Sequence, residues 1–214
     1  LIHDELADQD MSSSNPYKEF KQGFSVGGPI LKDRLFFFAA YEESELPRFL
    51  AHGPAGSGNG VERPWLSQSD YQRVVDIAEN IYGYDTGGMG QNGAQTTENI
   101  FVRVDWNIND SHNLAVIYND YEGVQSRSSD SDPYEFEFAN HFYDKGSISK
   151  TTTGILDSQW TDALSTQVYY TDSRMDDSQV TVGPKDMGDH QINMNGFSNV
   201  IYLGADDSRQ ANSL

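Results

Sequence analysis

The sequence predicts an all-β chain of antiparallel hairpins, and two observations carry that prediction. Apolar and polar side chains alternate with period two through several stretches, as they do when successive residues of a strand face opposite sides of a sheet. Short, turn-rich connections also alternate with long ones, the long ones running 47–97, 125–146 and 173–199.

The first hairpin is expected from Ser25 to Ile30 and Leu35 to Glu45 around Leu31-Lys32-Asp33-Arg34. Pro29 cannot donate to a ladder and belongs at its strand's end, while Gly27 and Gly28 permit a bulge or a close backbone approach. Phe36 and Phe38 share a face with Glu42, whereas Leu35, Phe37, Ala39 and Tyr41 share the other. Within the following connection, Ser67 with Asp70 three residues later reads as an N-terminal cap. Tyr71, Val74, Val75, Ala78, Ile81 and Tyr82 then recur at helical spacing until Gly83, which predicts a helix over Ser67–Tyr82.

The second hairpin is the clearest. Ile100, Val102, Val104, Trp106 and Ile108 alternate with Phe101, Arg103, Asp105 and Asn107. The cluster Asn109-Asp110-Ser111-His112 turns the chain into Leu114–Tyr121. A one-residue slip would bring Arg103 and Asp105 to the apolar face, so the register is specified. The third hairpin is expected from Thr152 to Trp160 and Ser165 to Asp172 around Thr161–Leu164.

Composition narrows the setting. Fourteen Lys and Arg against 33 Asp and Glu leave a net charge of −19, which argues against nucleic-acid binding because no basic surface can displace counterions from phosphate. With no cysteine, disulfides, thiolate catalysis and cysteine-bound metals are excluded. No run of about 18 apolar residues is present, so no transmembrane helix is expected, but a membrane β-barrel needs only about 9–11 residues per strand. Long connections are uncommon in compact soluble domains, whereas outer-membrane barrels place short turns on one side and long loops on the other. That pattern favours the barrel over a soluble β-sandwich with inserted loops. Tyr118, Tyr121, Trp160, Tyr169 and Tyr170 lie where strands meet loops, where a barrel carries its aromatic girdle.

Catalytic and metal motifs find no support. Gly88-Met89-Gly90-Gln91-Asn92-Gly93 spells the dinucleotide fingerprint, but a helix precedes it and a strand follows, the reverse of what that site needs. The five histidines are scattered. The acidic clusters Asp8-Gln9-Asp10, Asp130-Ser131-Asp132, Asp176-Asp177 and Asp206-Asp207 do not continue as a calcium loop. Neither an enzyme nor a cofactor nor a metal site is expected.

The stretch Gly23-Phe24-Ser25-Val26-Gly27-Gly28-Pro29-Ile30-Leu31-Lys32-Asp33-Arg34-Leu35-Phe36-Phe37-Phe38-Ala39-Ala40-Tyr41-Glu42 resembles the barrel of TonB-dependent outer-membrane receptors, in particular the Oar-like group. The same resemblance appears in Arg103-Val104-Asp105-Trp106-Asn107-Ile108-Asn109-Asp110-Ser111-His112-Asn113-Leu114. It returns in Ile201-Tyr202-Leu203-Gly204 with Arg209-Gln210-Ala211-Asn212. It implies an all-β transmembrane barrel of about 22 strands around a plugged lumen, with residues 1–214 supplying part of it. Neither a start methionine nor a leader opens at Leu1, so the plug and the remaining strands are expected to lie elsewhere in a longer chain.

The function implied is that of a segment of an active transporter in the bacterial outer membrane, which binds a solute at its external loops and imports it with energy from an inner-membrane partner. The expected partners are outer-membrane lipid, the plug of the same chain, a TonB-type protein reached through the N-terminal region, and the solute. A surface adhesin or binding module is an alternative, and a secreted soluble β-sandwich is another. Loop residues that join rings to polar groups are the natural solute contacts: Trp65, Tyr84, Tyr134, His141 and Tyr143. Phe36 and Phe38 are expected to face the plug near the periplasmic end.

Overall fold

The computed structural model describes residues 18–128 and 132–205. Its main body is a six-stranded antiparallel sheet of strands β1 (Phe20–Leu31), β2 (Leu35–Arg48), β5 (Gly93–Asn109), β6 (His112–Arg127), β8 (Tyr143–Thr161) and β9 (Leu164–Thr181), neighbours in that order. The three expected hairpins are present. In the second, Val104 pairs with Val116 and Trp106 with Leu114, the register that keeps Arg103 and Asp105 off the apolar face. At the first turn Asp33 adopts φ 61°, a conformation its short polar side chain tolerates. The register shifts by a bulge between Pro29 and Leu31. Gly27 sits where a Cβ would come within 3.0 Å of both the Phe37 carbonyl and the Phe38 ring.

Several strands run well past their expected ends. β2 reaches Arg48, β5 starts at Gly93, β6 ends at Arg127, β8 begins at Tyr143 and β9 continues to Thr181. The added residues, such as Gln95-Thr96-Thr97-Glu98 and Asp176-Asp177-Ser178-Gln179, are polar on both faces. They carry no alternation to read.

The two faces of the sheet differ. Pairing places Leu35, Trp106, Leu114, Leu156 and Val168 in one row on one face. Above it lie Gly28, Phe37, Val104, Val116, Gly154 and Tyr170, and then Val26, Ala39, Val102, Tyr118 and Thr152. The opposite face carries Ser25, Ala40, Phe101, Asn119, Thr151 and Ser173 in one row and Gly27, Phe38, Arg103, Ile117, Thr153 and Thr171 in the next. Phe36 and Phe38 are on this polar face, near its turn end. Val116 keeps 39% of its surface exposed and Phe38, on the other side, 41%. Both faces are thus open among the described residues.

The apolar band is slanted. At the level of Tyr41 and Ile100 the next strands already carry Asp120, Lys150 and Arg174, so its upper edge descends toward β9. Its lower edge descends too. β5 runs three residues past Trp106, the partner of Leu35, and β8 runs three past Ser158, the partner of His112. Each tight turn therefore lies two to three residues beyond the previous one, about 1 to 1.5 residues per strand. With a rise of about 3.3 Å per residue and about 4.8 Å between strands, that stagger is a tilt of about 35–45° between the strands and the normal to the band.

The tight turns sit at one end of the sheet and are joined there: Asn107 N–H donates to the Arg34 carbonyl at 2.7 Å and Gln159 N–H to the Ser111 carbonyl at 2.8 Å. At the other end the long connections fold on one another into a cap. It contains β3 (His52–Pro54) paired with β4 (Val61–Arg63), a helix α1 (Gln68–Tyr82), β7 (Glu135–Glu137), a 3-10 turn Ala139–His141, β10 (His190–Met194) and β11 (Asn199–Leu203). β11 pairs antiparallel with β10 and parallel with β7. Ile201–Gly204, which resembles a barrel segment in sequence, thus belongs to the cap, while Arg209–Asn212 lies outside the described residues. The hydrophobic core is here and not in the sheet: Leu66, Phe136, Phe138 and Ile201 are fully buried, with Tyr71, Ala78, Tyr84 and Leu203 around them.

Candidate functional site

α1 begins as its sequence dictates. The Ser67 hydroxyl accepts from Asp70 N–H at 3.1 Å, and Gly83 ends the helix at φ 67°, its N–H donating to the Glu79 carbonyl. Tyr71 and Ala78 turn into the core, Val74 and Val75 pack beside them, and Ile81 stays 71% exposed. The helical stripe read from the sequence is therefore buried only over its first three turns.

Between α1 and β10 runs a groove of about 720 Å³, within the usual range for small-ligand sites. Arg73, Val74, Ile77 and Tyr82 form the helix wall, and His190, Ile192 and Met194 the strand wall. The buried Tyr84 and Leu203 lie at the base, and Met187 and Asp186 complete the lining. The lining is mostly apolar, with Arg73, Asp70, Asp186 and His190 offering charge or hydrogen bonds at the rim. Two methionines make the surface adaptable in shape. Burial pushes the Tyr84 phenol above its ordinary range, as do Asp186 and Asp85 nearby, against the pull of the Gly204 backbone. The phenol thus stays protonated, with its hydroxyl buried behind the groove.

Of the five expected contacts, the structure brings only Tyr84 to this groove. Trp65 packs on the core and donates from Nε1 to the Pro133 carbonyl at 2.9 Å. His141 is buried, stacked on Tyr202 at 5.5 Å, with Nδ1 3.0 Å from the Gly204 carbonyl. Tyr143 is buried at the start of β8. Tyr134 is 63% exposed beside the Trp65 anchor. Three of the five are therefore built into the cap's framework.

Arg73, Met187, Ile192 and Met194 were not legible as site residues. The short alternation Gln191-Ile192-Asn193-Met194 is the one sequence feature that points to β10, and it gives no hint of its neighbour α1. The girdle aromatics divide between the faces: Tyr118 and Tyr170 are on the apolar one with Trp160, whose Nε1 donates to Thr166 at 2.9 Å. Tyr121 and Tyr169 are on the polar one. Among the described residues no three His, Asp or Glu side chains gather as a metal site. Comparison with family models, curated proteins and solved structures finds no match.

Proposed function

We propose that this chain is a section of a large outer-membrane barrel with its external cap, of the TonB-dependent receptor type. In this reading the cap takes a solute from the medium, and the barrel passes it inward when an inner-membrane partner moves the plug. The slanted apolar band is the observation that carries the proposal. A single-layer sheet with one uncovered apolar face and one polar face is costly in water but natural between lipid and a lumen. Its slant of about 35–45° falls where the strand tilt of membrane barrels falls. Tyr41 and Tyr118 lie along the band's upper edge, their hydroxyls donating to Glu43 at 2.7 Å and Asp120 at 2.8 Å. This is an arrangement of ring below and polar tip above that suits a membrane interface.

The short turns then face the periplasm, and the cap with its α1–β10 groove faces the medium. The groove is the seat we assign to the solute, through an apolar body held by Met187, Ile192, Met194 and Ile77. The plug and the energy-transducing partner enter through the sequence resemblance alone. Among the described residues no second large sheet packs on the first, so nothing here favours the sandwich.

The test uses the absence of native cysteine. Single cysteines at Val116 and Thr153, on opposite faces, are introduced into the full-length chain, labelled with a fluorophore and reconstituted with brominated lipids. Quenching at Val116 and not at Thr153 is expected; equal quenching at both, or none at either, refutes the membrane reading.

A further inference from the structure

The groove between α1 and β10 has a different charge at each end and an apolar middle. Its helix wall runs from Asp70 to Gly83, about 20 Å at the helical rise. A volume of about 720 Å³ spread over that length leaves a slot about 6 Å across, wide enough for one extended chain and too narrow for two side by side. Ile77 in its wall keeps 39% of its surface exposed, so the slot is open along its mouth.

Hydrogen bonds fix which residues share an end. Trp65, just before α1, donates to the Pro133 carbonyl, and Val200 N–H donates to the neighbouring Tyr134 carbonyl. The helix thus starts at the Asn199 end of β11, beside Met194, which pairs with Asn199. Tyr84, just past the helix, lies by the Gly204 backbone and Asp186, and Gly188 bridges to Ala205. Asp186, Gly188 and His190 therefore gather where the helix stops.

Arg73 stands toward the first end and Asp186 at the second, neither with an ion-pair partner among the described residues. Asp70, three residues before Arg73, is engaged at the helix cap, where its carboxylate accepts from the Ser67 hydroxyl at 2.7 Å. At the far end α1 adds the partial negative charge of its C-terminus, with no basic residue in its last turn to balance it. His190 is turned to the Gly188 carbonyl, and neither Lys185 nor Asp189 lines the slot. From Arg73 to Gly83 the helix rises about 15 Å, past Val74, Ile77 and, across the slot, Ile192.

We propose that the groove takes a short linear peptide with free termini and apolar side chains, its carboxylate at Arg73 and its ammonium at Asp186. An extended chain covers about 15 Å in about four to five residues, which matches the separation of the two seats. The guanidinium meets the carboxylate through paired N–H donors, and the ammonium shares its three donors between Asp186 and the last helical carbonyls. Alternate side chains enter the slot, where Met187 and Met194 adapt to their shape, and the peptide's own N–H and C=O groups stay at the mouth, in water. This inference rests on the reading of the groove as the seat of the solute and names the solute's class.

The test is calorimetric titration of the full-length chain with a pentapeptide of leucine and alanine, with both termini free, with the carboxylate amidated, or with the amine acetylated. Each block is expected to weaken binding about fivefold. In R73Q amidation is expected to cost nothing while acetylation still does, and in D186N the reverse. The blocked peptides act on the unaltered chain, so the outcome does not hang on either variant folding. Equal affinity for free and doubly blocked peptide overturns the proposal, as does the absence of binding, and so does tighter binding of dodecanoate, which would make the ligand a lipid. The lipid-quenching experiment separates the two readings. Quenching at Val116 alone without peptide binding refutes the ligand and leaves the barrel, and peptide binding with equal quenching on both faces leaves the ligand and refutes the barrel.

Discussion

Replacing Phe136 by alanine isolates the cap from the sheet. Phe136 is fully buried and meets three rings edge-on, His52 at 5.0 Å, Phe138 at 5.2 Å and Tyr71 at 5.7 Å. Truncating a buried phenylalanine costs about 3–5 kcal/mol, and aromatic pairs add about 0.5–1.5 kcal/mol beyond area, so a site with three of them belongs in the upper half of that range. A loss of about 4 kcal/mol corresponds to about a thousandfold rise in opening. Hydrogen exchange on the full-length chain is the assay. The amides of α1 between Tyr71 and Ala78 are expected to exchange about a thousandfold faster, while those of Val102–Trp106 in β5 keep their protection. A change below tenfold in α1 would mean that Phe136 is not the keystone of the cap. An equal loss in β5 would mean that cap and sheet are one cooperative unit, contrary to the separation of the buried core from the sheet.

Val104→Arg, in the middle of the apolar band, is expected to cost about 2–4 kcal/mol in lipid vesicles, against little for Thr153→Arg on the opposite face. Urea titration of both variants checks this, and equal costs would contradict a lipid-facing band. Ser67→Ala removes the oxygen that accepts the Asp70 N–H and is expected to weaken α1 by about 1 kcal/mol, read as faster exchange in its first turn with the sheet unaffected. Residues 1–214 expressed alone in water are expected to aggregate or unfold without a sharp transition, because among the described residues β1 and β9 are unpaired edges and the apolar face is open. A monomer with a cooperative melt would refute that expectation.

The hairpins and α1 were legible because each is specified locally. Ile100–Ile108 has an alternation that a slip would ruin, and Ser67, Asp70 and Gly83 mark the helix ends by their own hydrogen bonds and backbone conformation. The cap was not legible. Its core joins Leu66 and Tyr71 to Phe136 and Phe138 and to Ile201 and Leu203, contacts between segments tens of residues apart that no local periodicity encodes. The same distance hides the groove, since its two walls come from the first and last connections. His52 was seen only as one of five scattered histidines, because its surroundings are made by Glu137 and Phe136 far along the chain. The solute candidates follow the same logic: rings with polar tips are as useful for closing a cap as for gripping a ligand, and Trp65, His141 and Tyr143 serve the first purpose here.

The parallel pairing of β7 with β11 sets a chronology. β7 has three residues, and the strand it pairs with, Asn199–Leu203, comes from the last connection, which has to be made and to reach the same side as the first two. The hairpins can pair one after another as they arrive, since each needs only its neighbour, but the cap has to wait for the last. Its closure then ties together the far ends of strands already placed, so that no strand can slide along its neighbour without tearing a core drawn from three connections. Pulse-labelled exchange during refolding is expected to record this as sheet protection arriving first and cap protection following in a single later phase.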